Sequence, residues 1–178
     1  VANAMTSVRR LRCDDLLRFN AINLDELTET YGMPFYLQYL AKWPRICFAH
    51  CHGPSSETRM AYIMGKAEGR ATNWHGHVTA VTVAPEFRRL GLAGKLMDTL
   101  ERVSDVDYRG YFVDLFVRSS NALAIGMYER MGYVTYRRVL DYYAGEEDAL
   151  DMRKALSRDP TRSSMVPLGR DITPSELY

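Results

Sequence analysis

The sequence predicts a single α/β domain in which strands come first and two strand, helix, strand steps follow. Three observations predict it. The 178 residues are 47% hydrophobic, enough for one core and too few for two comfortable ones. Between Ile46 and Val83 the chain alternates or runs apolar in strand fashion. From Leu90 onward, helical spacing of apolar residues is flanked on each side by strand-like segments.

Taken in order, Val8 to Leu11 predicts a short strand, and Asp14 and Asp15 stand where a cap and a first-turn carboxylate belong for a helix over Leu16 to Asn23. Leu24 to Gly32 is polar and turn-like, after which Pro34 suits the first turn of a helix over Phe35 to Ala41, closed by Pro44. Ile46 to Ala49 and Met60 to Ala67 predict antiparallel strands joined by the hairpin composition of Gly53, Pro54, Ser55 and Ser56. His75 to Val83 alternates so that His75, His77, Thr79, Val81 and Val83 share one face of a strand.

Leu92, Ala93, Leu96, Met97 and Leu100 then follow helical spacing, and Tyr111 to Val117 is an aromatic and β-branched strand. Asn121 caps a helix carrying Ala124, Ile125 and Tyr128 and ending near Gly132. Tyr133 to Tyr143 and Leu150 to Ala155 complete the sheet. The domain is expected over residues 5–156. The tail from Ser157 to Tyr178, with Pro160, Pro167, Gly169 and Pro174, is expected extended, flexible or docked. Residues 1–4 are expected to be a foreign remnant ahead of a natural start at Met5.

Charge and cysteine content exclude several function classes. Lys and Arg total 23 against 22 for Asp and Glu, a formal net charge of +1, so no overall field recruits nucleic acid or an anionic membrane. Cys13, Cys47 and Cys51 are too few and odd in number for a disulfide framework, no apolar run suits a membrane span, and no secretory signal is visible. A reducing, cytoplasmic setting is expected. Cys47, His50, Cys51 and His52 fall close together, but tetrahedral zinc sites need two separated ligand pairs, so no metal is expected.

The segment from Val81 to Lys95 joins a strand to a helix. Gly91, Ala93 and Gly94 let backbone N–H groups approach an anion at the helix start, where the dipole favours negative charge. Arg88 and Arg89 add fixed positive charge. A coenzyme A diphosphate and 3′-phosphate would suit them; the plain alternative is a glycine-containing turn into a core helix. The pattern R-x-x-G-x-A after a strand ending in Val and Pro resembles the acetyl-CoA motif of the GNAT superfamily, and matches neither G-x-G-x-x-G nor a Walker loop.

The resemblance runs along nearly the whole chain. NLDELTETYG at 23–32, PFYLQYL at 34–40, YIMGKAEG at 62–69, WHGHVTA at 74–80, APEFRRLGLA at 84–93 and YFVDLFVR at 111–118 are similar to the catalytic subunits of NatB N-terminal acetyltransferases. The Cys47 to His52 stretch and Ala61, where a glycine is expected, depart from that pattern. The resemblance implies a GNAT fold: a central mixed, largely antiparallel sheet of about seven strands flanked by helices, splayed between the strand ending at Val83 and that of Tyr111 to Val117, with acetyl-CoA in the splay. It implies a large auxiliary subunit of helical repeats that carries the enzyme to ribosomes. It also implies nascent protein substrates beginning Met-Asp, Met-Glu, Met-Asn or Met-Gln.

An α-amine with a pKa of about 7.7–8.0 is partly deprotonated at neutral pH, so direct attack on a thioester needs orientation and oxyanion stabilisation more than a strong base. The resemblance implies that backbone around Val83 holds the thioester oxygen and that Tyr128 protonates the departing thiolate. It further implies that Val81, Arg88, Arg89, Gly91, Leu92, Ala93, Gly94 and Asn121 bind acetyl-CoA. Without it, Tyr128 reads equally as a packed core aromatic and Asn121 as a helix cap.

Glu29 and Tyr31, with Tyr142 and Tyr143 on an opposite loop, match groove residues of the family. His77 and Thr79 offer donors to the side chain of the second substrate residue, against the plainer reading of a structural strand histidine. Two other functions stay open: a lysine or small-amine acetyltransferase, for which a stronger base is needed and none stands out, and a non-catalytic CoA-binding module. Leu16, Leu17, Phe35 and Leu40 could offer an apolar face to the auxiliary subunit.

Overall fold

A computed structural model describes residues 6–24, 28–53, 58–144 and 147–177. The expected start at Met5, the remnant at 1–4 and most of the hairpin loop lie outside them. The strands are β1 (Thr6–Arg10), β2 (Phe48–His52), β3 (Arg59–Glu68), β4 (His75–Val83), β5 (Phe112–Arg118), β6 (Val134–Tyr143) and β7 (Glu147–Ala155). The helices are α1 (Met33–Lys42), α2 (Leu92–Val106) and α3 (Ala122–Arg130). The seven strands follow the order β1-β2-β3-β4-β5-β7-β6, a mixed α/β architecture with a largely antiparallel sheet, as expected.

The chain divides into two compact units. The first takes the residues up to Lys66 together with Val78–Val103. Here β1 pairs antiparallel with β2 and β2 with β3, with a bulge at His50 and Cys51. Strand β3 is buried along almost its whole length, so it reads as the near-continuous apolar run of a strand covered on both faces. Pro34 occupies the first turn of α1, and Tyr36, Tyr39 and Leu40, spaced for one helical face, are buried. Leu92, Leu96, Met97 and Leu100 of α2 are buried as their spacing predicts.

The expected helix over Leu16 to Asn23 is instead two 3-10 turns, Cys13–Leu17 and Asn20–Asn23. Asp15 explains the first. Its carboxylate, 0% exposed, accepts from Arg9 through two bonds of 2.7 Å, from Arg59 Nε at 2.5 Å and from the Arg12 N–H at 2.8 Å. A buried carboxylate tied to β1 and β3 fixes the segment where a regular helix would carry that side chain away.

The second unit takes Ala67–His77 and Ser104–Tyr178. Strand β7 pairs antiparallel with both β5 and β6. The second strand, helix, strand step is therefore not a crossover between neighbours, because β7 inserts between β5 and β6. Asn121 caps α3, its Oδ1 accepting from the Ala124 N–H at 3.1 Å. Gly132, at φ +91°, follows the helix in the left-handed conformation that glycine tolerates. Gly76 sits where a Cβ would lie 2.1 Å from Ser104 Oγ, so this close approach requires glycine.

The tail docks. Leu168 donates to the Tyr136 carbonyl, Ile172 to that of Arg138, and Leu140 back to Ile172. Ile172 packs with Val139 and Ala149, and Phe116, Tyr143 and Leu177 border the cluster. No helix among the described residues is long and apolar enough to cross a membrane.

Candidate active site

The helix start expected to bind an anion is built as follows. Strand β4 ends at Val83, half-buried like Val81, and Ala84 bonds back to the Met60 carbonyl at 2.9 Å. A 3-10 turn over Pro85–Phe87 leads to Arg88 and Arg89, both exposed, with Arg88 Nε donating to the Val83 carbonyl at 3.4 Å. Arg89 and Gly91 both take positive φ, +64° and +73°. The Gly91 carbonyl accepts from Lys95 N–H, so the N–H groups of Leu92, Ala93 and Gly94 open α2 without intrahelical acceptors. A Cβ at Gly91 would meet nothing within 4 Å. Glycine here serves the backbone conformation, and the space beside the turn is open. Two exposed guanidinium groups, free helix amides and open space fit the phosphates of acetyl-CoA.

Tyr128 is 7% exposed, its ring edge-on to Tyr133 at 5.9 Å. Burial pushes its phenol above the usual range, and its hydroxyl has no hydrogen-bond partner among the described residues. It therefore carries a proton not committed elsewhere. Asn121 does serve as a cap, with its Oδ1 in use.

Within the first unit the structure brings Glu29, Tyr31 and Thr79 together through an aromatic chain. Tyr31 stacks on Phe35 at 4.1 Å, Phe35 meets Tyr39 at 4.6 Å, and Thr79 Oγ1 donates to Tyr39 Oη at 3.1 Å. Burial, and then the Glu29 carboxylate, push the Tyr31 phenol up to about 12. Tyr31 and Tyr36 also line a pocket of about 320 Å³ with Phe19, Asn23 and Met33.

Within the second unit the structure gathers His77, Tyr142 and Tyr143. His77 Nδ1 lies 2.8 Å from Asp114 Oδ1, and its ring meets Phe116 edge-on at 5.5 Å. Tyr142 meets Phe116 at 4.8 Å, and Tyr143 Oη donates to the Phe116 carbonyl at 3.1 Å. The two tyrosines are the last residues of β6 rather than a loop. A register shift between Val139 and Tyr143, with Asp141 at φ +50°, breaks the strand alternation, so neighbouring tyrosines both reach Phe116.

Asp114 was not among the residues singled out from sequence. Its signal was a carboxylate in the middle of the apolar strand FVDLF, which burial obliges to find a partner. Phe116 and Tyr39 carried no signal beyond ordinary core aromatics. Among the described residues no group of three or more His, Cys, Asp or Glu is placed to hold a metal ion. Cys47 is buried with its thiol pushed up to about 11 by that burial.

The profile of the acetyltransferase (GNAT) family matches residues 12–133. The chain is 61% identical to the N-terminal acetyltransferase B complex catalytic subunit NAA20 of Arabidopsis thaliana, over 97% of this chain and 98% of the relative. Among solved structures it resembles Chaetomium thermophilum Naa20 in complex with a bisubstrate analogue, at a TM-score of 0.88 and 41% identity, covering 97% of this chain and 99% of that one. It also resembles the NatB acetyltransferase complex bound to CoA and MES, at 0.77 and 41%, covering 84% and 99%. The chain belongs to the GNAT acetyltransferases and, within them, to the catalytic subunits of the N-terminal acetyltransferase B type.

Proposed function

We propose that this chain transfers an acetyl group to the α-amine of proteins beginning Met-Asp, Met-Glu, Met-Asn or Met-Gln, by direct attack in a ternary complex. The observation that carries this reading is likeness over 97% of the chain to an N-terminal acetyltransferase B catalytic subunit. The open turn at Gly91 ahead of α2 supports it. Acetyl-CoA supplies the activated acetyl thioester. Arg88, Arg89, Gly91, Leu92, Ala93 and Gly94 hold its phosphates, and Val81, Val83 and Asn121 its remaining polar groups. The Val83 backbone N–H steadies the carbonyl oxygen. Tyr128, kept protonated by burial, gives its proton to the departing thiolate.

The acceptor peptide is oriented by Glu29, Tyr31, Tyr142 and Tyr143, with His77 and Thr79 at its second side chain. The enzyme works in the cytoplasm with a helical-repeat auxiliary subunit that brings it to nascent chains at the ribosome. Leu16 and Leu40, named from sequence as candidates for that contact, are buried in the chain's own core, and Phe35 is stacked on Tyr31. Among the described residues of that region Leu17, Leu24, Met33 and Leu37 are exposed apolar side chains and support such a contact better.

The test is the initial rate with acetyl-CoA across peptides beginning Met-Asp, Met-Glu, Met-Asn, Met-Leu and Ser-Glu, each also made with a blocked N terminus and a free lysine. Preference for the first three is expected. Activity confined to the blocked lysine peptides would move the chain to the lysine class.

A further inference from the structure

Tyr142 and Tyr143 close strand β6, and the last pair of the β6 and β7 ladder is Tyr143 with Glu147. Backbone pairing opens most readily at the end of a ladder, and the register shift between Val139 and Tyr143 interrupts it just before that end. Side chains supply the hold that the backbone lacks here.

Arg118, the last residue of β5, is central to it. Its guanidinium lies over the Tyr143 ring at 4.2 Å, and its Nη1 donates to Glu147 Oε2 at 2.7 Å. Tyr143 Oη donates in turn to the Phe116 carbonyl of β5 at 3.1 Å. The Tyr143 ring is thus held by its own hydroxyl at one point and by a guanidinium over its face at another. The second Glu147 oxygen, Oε1, accepts from the Ser120 hydroxyl and from the Ser120 N–H at 3.3 Å. Hydrogen bonds from Ser120 and Arg118 hold the Glu147 carboxyl below its usual range, so it is ionised at neutral pH.

Stability does not explain this arrangement. The Arg118 and Glu147 side chains are 19% and 26% exposed, and ion pairs within reach of water add little to folding. Strands β5 and β7 are already joined by a ladder from Phe112 to Arg118. The start of α3 has bonds of its own, from the Asn121 N–H to the Arg118 carbonyl and from the Ala122 N–H to the Ser120 carbonyl, both at 2.9 Å. What depends on the carboxylate is the place of the guanidinium, because an arginine side chain without a partner spreads over many rotamers.

We propose that Glu147 and Arg118 are positioning residues for the acceptor peptide: Glu147 holds the Arg118 guanidinium on the Tyr143 ring, and so fixes the tyrosines that orient the attacking amine. The inference rests on the reading that Tyr142 and Tyr143 meet the acceptor. It confines the effect of the pair to peptide recognition, since the acetyl-CoA side keeps its own bonds. It also gives Glu147 no influence on the peptide except through Arg118.

The experiment measures kcat and the KM values for a Met-Asn peptide and for acetyl-CoA in the wild type, Glu147→Gln, Arg118→Ala and the double variant, beside thermal melts. The full chain is used, with the auxiliary subunit if the isolated chain does not turn over. A Met-Asn peptide is chosen because its uncharged second residue gains nothing from a guanidinium released by Glu147→Gln. Each single variant is expected to raise the peptide KM about tenfold, the worth of one charge-assisted bond. The acetyl-CoA KM should stay within about threefold and Tm within about 4 °C. The double variant should match Arg118→Ala to within about twofold, because a residue that acts through another adds nothing once the other is gone. Arg170→Ala, which breaks an exposed pair with Glu176 at 2.8 Å, should leave both KM values unchanged.

A peptide KM that does not move in Glu147→Gln overturns the proposal, as do equal rises in both KM values or losses that multiply in the double variant. The split between the two KM values in Glu147→Gln decides the matter even where Arg118→Ala fails to fold. A wild type that acetylates neither Met-Asp nor Met-Asn peptides overturns the acceptor reading and the proposal with it. An active wild type whose Glu147→Gln variant keeps its peptide KM overturns the proposal alone.

Discussion

Replacing Tyr128 by Phe removes one hydroxyl and little else. The ring is 7% exposed and packs edge-on to Tyr133 at 5.9 Å, and Phe keeps that packing. Because the hydroxyl has no hydrogen-bond partner among the described residues, its loss should change stability by less than about 1 kcal/mol, a Tm shift under about 4 °C for a chain of this length. General acid catalysis contributes about 10²- to 10⁴-fold to rate. The expected result is therefore a fall in kcat of about 100-fold or more, or about 2.7 kcal/mol of barrier, with the KM for acetyl-CoA changed less than about threefold. Burial pushes the phenol upward, so the acid stays loaded and kcat should show no falling limb from this group below about pH 10. Steady-state rates with varied acetyl-CoA on a Met-Asp peptide, beside a thermal melt, measure all of this. Equal losses in kcat and in acetyl-CoA affinity, or an unchanged kcat, would refute the general-acid assignment.

Two further substitutions test the frame around the site. Asp15→Asn removes the buried carboxylate that meets Arg59 Nε at 2.5 Å and Arg9 at 2.7 Å, and should cost about 3 kcal/mol, a Tm drop of about 6–12 °C by calorimetry. Burial works to raise the Asp15 pKa, but hydrogen bonds from Arg9, the Arg12 backbone and Arg59 hold it at about 2. A depressed carboxyl stabilises the fold above its ordinary range and loses that contribution as pH falls toward 2, so the wild type should lose stability on acidification more steeply than Asp15→Asn. Gly91→Val forces a β-branched residue to φ +73°. The strain of about 1–2 kcal/mol shifts the first amides of α2 and should raise the KM for acetyl-CoA about tenfold. Gly91→Asn, whose side chain visits the left-handed region more readily, should be milder, and equal KM values for the two variants would count against the amide-cradle reading.

Much of the site's local chemistry could be read along the chain because it is local. The glycine turn at Gly91, the helix start behind it and the Asn121 cap each depend on a few consecutive residues whose conformational preferences are intrinsic. The same holds for Pro34 opening α1 and for the apolar spacing of α2. The tail was legible only as a proline-containing segment, and its docking along β6 depends on Ile172 finding Val139 and Ala149, residues far away in sequence.

What the sequence determined alone was most of the order of elements, the glycine turn ahead of α2 and the family likeness, since backbone propensity and apolar period act between near neighbours. The tertiary structure decided which distant side chains meet. It drew Asp15 to Arg9 and Arg59 and so replaced a helix with 3-10 turns. It inserted β7 between β5 and β6, turned Tyr142 and Tyr143 toward one phenylalanine, and set Asp114 against His77. A buried charge must find a countercharge wherever the chain provides one, and strand pairing brings those partners from dozens of residues apart. No local preference encodes that choice.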